Sequence, residues 1–75
     1  SDGVIPRQRV VAAYRAFMRA HPDMAGFVAP DLAAWGHWEA TPEFAAILGT
    51  GVRQHEDSQA AIVAYLRQSP QGGSP

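Results

Sequence analysis

Apolar side chains recur at helical spacing along most of the chain, and no stretch alternates apolar with polar residues over the length of a strand. From Arg7 to about Ala20, Val10, Val11, Tyr14, Phe17 and Met18 fall within an arc of about 120° at 100° per residue, with Ala12, Ala16 and Ala20 on the opposite side. Pro6 suits the first turn, where its missing N–H is not needed. Pro22 predicts an end near His21, because it disfavours helical geometry in the residue before it.

Residues 22–40 are less regular. Pro22-Asp23 predicts a short turn through Met24, Phe27 and Val28, weakened by Gly26. Pro30-Asp31 predicts a helix over Asp31 to Glu39 carrying Leu32, Trp35 and Trp38. Gly36 inside it suggests room left for the two indoles. Thr41-Pro42-Glu43 is the clearest start signal: threonine to cap, proline at the first position, and a carboxylate for the helix dipole.

From there Phe44, Leu48, Val52, His55, Gln59, Ile62, Val63 and Leu66 share an arc of about 100° if one helix runs unbroken. Gly49-Thr50-Gly51 interrupts it, a propensity loss of about 2 kcal/mol. The phase nevertheless survives across that tripeptide. The expectation is therefore one long helix from Pro42 to about Gln68, kinked at 49–51, with two helices over 42–48 and 52–68 as the rival. Ser69-Pro70 should end it. The expected fold is all-α, a small three- or four-helix bundle with a long C-terminal helix. Its organisation would be an unpatterned lead-in over 1–5, a single helical domain over 6–68 and a flexible tail or linker over 69–75.

Composition removes several function classes. The 75 residues include no Cys and no Lys, which excludes disulfide scaffolds, Cys-ligated zinc, thiol nucleophiles and Schiff-base chemistry. A reduced, cytoplasmic setting is the better fit. No apolar run approaches the length of a bilayer span, so no membrane association is expected. A net charge of −1 argues against a general nucleic-acid binder. The charge is uneven: residues 1–20 carry four Arg and one Asp for +3, and residues 21–75 carry two Arg and six acids for −4. A chain this short also builds a small core, which favours pairing with another chain.

Candidate chemistry is sparse. His55-Glu56-Asp57-Ser58-Gln59 resembles the metalloprotease H-E-x-x-H helix superficially, but Gln59 stands where the second nitrogen ligand must be. The three histidines lie sixteen and eighteen residues apart, unlike a compact metal motif. His37 and Glu39 could form an acid–base pair, although the helical angle of His37 turns it away from Trp35 and Trp38 toward solvent. No Ser–His–Asp arrangement is visible, and so few helical residues enclose little volume. Neither enzymatic activity, nor a cofactor, nor a metal site is expected.

The expected function is a small helical protein–protein interaction module, of docking, adaptor or regulatory type. It would present an apolar helix face to a second copy or to another protein. Val52, His55, Gln59, Ile62 and Leu66 are its candidate contacts, with His55 and Gln59 as polar groups at the seam. Trp35 and Trp38 are a second set of contacts, within a bulky cluster with Phe27 and Met24 that either forms the core or is partly exposed to a partner, since aromatics are enriched at interface centres. If His55 lies at such a seam, acid should loosen the contact. The alternative is nucleic-acid association, with Arg15 and Arg19 of the first helix contacting phosphates; Arg19 could also pair with Asp23 one turn on.

Overall fold

The computed structural model describes residues 5–70. Within them the chain is all-helical: α1 (Arg7–Ala20), a 3-10 helix (Pro22–Val28), α2 (Ala29–Ala34), α3 (Thr41–Gly49) and α4 (Glu56–Gln68). The lead-in before Ile5 and the tail after Pro70 lie outside the described residues.

α1 follows the pattern of its sequence. Val11 and Met18 are buried, Val10, Tyr14 and Phe17 half-buried, and Ala12, Ala16 and Ala20 exposed. The helix stops before Pro22, its last turn closed by His21 N–H donating to the Phe17 carbonyl at 2.8 Å. The following 3-10 helix runs seven residues, long for this geometry. Its three-residue repeat stacks Gly26 under Ala29 and Ala25 under Val28 on the inner side, with Met24 half-buried and Phe27 exposed.

α2 ends at Ala34, five residues before the expected end at Glu39. The stop is a Schellman motif: Gly36 N–H donates to the Ala33 carbonyl at 3.0 Å and His37 N–H to the Leu32 carbonyl at 2.9 Å, with Gly36 at φ 67°. Gly36 is thus a helix terminator, not a space for indoles, and a Cβ there would touch nothing. Trp35 and Trp38 sit in the connection to α3. Trp35 stacks on Tyr14 at 5.8 Å between ring centres with the Arg7 guanidinium over its face, and Trp38 packs on Tyr65 at 5.1 Å. Thr41 does not cap α3. It is the first residue of that helix, and its hydroxyl donates back to the Trp38 carbonyl at 2.7 Å.

The long C-terminal helix is not there. α3 ends at Gly49, and Gly51 adopts φ 78°, a left-handed conformation that ends a helix and that side-chain-bearing residues enter at a cost. Residues 52–55 then run outside any helix, and α4 begins only at Glu56. The preserved phase that suggested one rod is a coincidence of spacing across a real break.

The break also changes which side of α4 is inside. Ser58, Ile62, Tyr65 and, past the helix end, Ser69 are buried. On a helical wheel their line lies about 80° from the arc read from the apolar residues. Hydroxyls account for the rotation. Ser58 Oγ accepts from Gly26 N–H at 2.7 Å and donates to Gln54 Oε1 at 2.8 Å. Tyr65 Oη donates to the His37 carbonyl at 2.6 Å. Ser69, expected to open the tail, is fully buried with its Oγ 2.8 Å from that of Thr41. Phe44 and Leu32 complete the core, Phe44 meeting the Tyr65 ring at 4.7 Å.

Candidate interaction surface

The surface is built on the contact between the 3-10 helix and the start of α4. Gly26 is buried directly on Ser58, so close that a Cβ at position 26 would overlap the Ser58 carbonyl oxygen. Two further bonds fasten the same junction: Gln54 Nε2 donates to the Pro22 carbonyl at 2.6 Å, and His55 N–H donates to the Asp23 carbonyl at 3.0 Å. Ala25 and Gly26 are buried and Phe27, next in the chain, faces out. Phe27 is 47% exposed, and its ring lies 5.2 Å from the His55 imidazole at 57°.

His55 is the N-cap of α4, with Nδ1 accepting from Asp57 N–H at 3.2 Å. Glu56 and Asp57 follow in the first turn, where carboxylates favour the positive helix end. The H-E-D-S string is therefore a helix start and not a run of ligands. Beyond it, exposed Gln59 and half-buried Val63 continue the ridge along one flank of α4. The outward side of the helix carries a shallow groove of about 450 Å³ lined by Glu56, Gln59, Ala60, Val63, Ala64 and Arg67.

The expected contact residues separate. His55 and Gln59 reach the surface together. Val52 is half-buried in the connection before α4, Leu66 is half-buried against the core, and Ile62 is fully buried and has no area to offer a partner. Trp35 and Trp38 are half-buried and engaged within the chain. Phe27, a member of the bulky cluster with Trp35, Trp38 and Met24, is the large side chain that the ridge exposes.

The basic pair of α1 also separates. Arg15 forms an ion pair with Glu43 of α3, while Arg19 is exposed and unpaired, including to Asp23, among the described residues. His37 is not turned to solvent: Nδ1 lies 3.2 Å from Glu39 Oε1, and Nε2 is buried without a hydrogen-bond partner. Neither His37 nor Glu39 lines the α4 groove. Among the described residues no group of His, Asp and Glu could hold a metal, and no helix is long and apolar enough to cross a membrane.

Comparison of the chain with family models, with curated proteins and with solved structures gives no match.

Proposed function

We propose that this chain is a small helical protein–protein interaction module, its elements forming a bundle, that self-associates through the ridge Phe27–His55–Gln59–Val63. The observation that carries the reading is the outward placement of Phe27. An aromatic ring half-open to water, held over His55 by the Gly26–Ser58 contact, is the kind of anchor that interfaces bury. The unbroken apolar rod no longer supports the reading, because the rod does not exist and Ile62 lies in the core. The absence of cysteine suits a cytoplasmic setting.

Light scattering across micromolar concentrations tests it. Association to a dimer is expected for the wild-type chain, together with a monomer of unchanged helicity for Phe27→Asp. A wild-type chain that stays monomeric throughout that range defeats self-association.

A further inference from the structure

A second feature of the molecule complements the exposed ring. α1 rests on the 3-10 helix and α3 on α4, so the C-terminal part of α1 and α3 face each other across an opening bridged by the Arg15–Glu43 ion pair. The opening is a slot of about 250 Å³ lined by Met18, Arg19, Pro22, Glu43, Ala46 and Ile47. Met18 forms its closed floor, being 2% exposed. The volume falls below the roughly 300–1,000 Å³ of small-molecule pockets and suits one or two side chains of a protein.

The charges at its rim are unbalanced. Glu43, the acid of the lining, is neutralised by Arg15, whereas Arg19 has no ion partner among the described residues. An apolar slot edged by one free guanidinium selects an apolar side chain accompanied by a carboxylate. The ridge offers that combination. Phe27 stands exposed beside His55, whose backbone N–H is bonded to Asp23 and whose next two residues are Glu56 and Asp57. All three carboxylates lie on exposed residues and form no ion pair among the described residues.

We infer that the occupant of the slot is a second copy of this chain, with Phe27 of one protomer seated on Met18 and Ile47 of the other and Arg19 facing the acids around Phe27. This rests on the self-association proposed above and names the two faces that meet. Knob and slot are different surfaces. A closed pair therefore needs both to be used reciprocally, each protomer giving its Phe27 and receiving its partner's.

Two variants separate the faces. Phe27→Asp removes the knob and leaves the slot. Ala46→Trp with Arg19→Glu fills and recharges the slot and leaves the knob; both positions are exposed, so folding should survive, as far-UV circular dichroism would verify. Each variant alone should weaken self-association about tenfold or more by sedimentation equilibrium. Mixed, they should form a mixed dimer, weaker than the wild-type pair but tighter than either variant alone, because one intact knob meets one intact slot while the second contact is lost. If the slot variant dimerises like wild type while Phe27→Asp does not, ridge packs on ridge: the slot assignment falls and the interaction reading stands. If both variants are monomeric and the mixture also stays monomeric, the complementarity is overturned. A monomeric wild type removes both readings.

Discussion

α1 meets the rest of the chain through Val11 and Met18, with Tyr14 donating to Asp31 at 2.6 Å and Arg15 paired to Glu43 along its flanks. α4 meets it through Ser58, Ile62 and Tyr65, with every buried hydroxyl bonded to a particular group on another segment or on the approach to the helix. Apolar packing is non-directional and tolerates sliding. Buried hydrogen bonds do not, because a donor left without its acceptor costs about 1–3 kcal/mol. The polar attachment therefore fixes the rotation and register of α4, and through Gly26 the direction in which Phe27 points. α1 is free to be repacked at modest cost.

The comparison breaks hardest at Gly26. Its substitution by alanine would drive a methyl group into the Ser58 backbone, and backbone cannot yield as a flexible side-chain tip can. A loss of more than about 4 kcal/mol is expected. That is comparable with the whole stability of a domain this size, about 4–11 kcal/mol at the usual density per residue. Urea denaturation followed by circular dichroism should show Gly26→Ala with no cooperative transition. A stable, cooperative Gly26→Ala chain would mean that the 3-10 helix does not lie on α4.

Ser58→Ala is the next step down. It keeps the volume nearly unchanged but strands the Gly26 N–H and the Gln54 carbonyl oxygen, so about 1–3 kcal/mol should be lost. The same measurement checks it. A neutral result would show that Ser58 only fills space.

How much of this was legible in the residues follows from the same contrast. Hydrophobic periodicity located the buried side of α1 because that side is apolar. It misplaced the buried side of α4 because serine and tyrosine there are core residues, and a serine's burial depends on a partner elsewhere in the chain. Gly26 read as a helix weakener, whereas its role is set by Ser58, thirty-two residues on. Gly51 stood in view as a left-handed terminator and was outweighed by the apparent continuity from Phe44 to Leu66. Of the proposed surface, His55 and Gln59 were expected from polar interruption of an apolar stripe; both are exposed, His55 as the cap of α4. Phe27 was read as one of a bulky cluster, core or exposed, and the choice between the two depends on the Gly26–Ser58 contact, which no local pattern carries.

Tyr65 gives the attachment of α4 a pH dependence. Burial raises its phenol above the ordinary 10.0, and the hydrogen bond to Asp31 followed by burial raises that of Tyr14. Both groups hold their protons more tightly in the folded chain than in the unfolded one. Stability is therefore fully present below about pH 10 and falls as pH rises through the folded values, where the unfolded chain releases protons first. Tyr65→Phe should lose about 1–2 kcal/mol at neutral pH, the His37 carbonyl being left without its donor. It should also flatten the alkaline decline. Urea midpoints between pH 8 and 11 would show both, and an unchanged alkaline slope would remove Tyr65 as its source.

The smallest effect belongs to α1. Arg15 and Glu43 are 37% and 27% exposed, so water and salt screen their attraction, and holding two long side chains in one geometry offsets part of it. A double-mutant cycle of Arg15→Ala and Glu43→Ala should return a coupling of about 0.2–1 kcal/mol that shrinks between 50 mM and 1 M salt. If the coupling instead exceeds that of Ser58 with Gln54 measured the same way, α1 is pinned as specifically as α4. The division between a slidable helix and a registered one would then not hold, and the slot between α1 and α3 would be as rigid as the ridge.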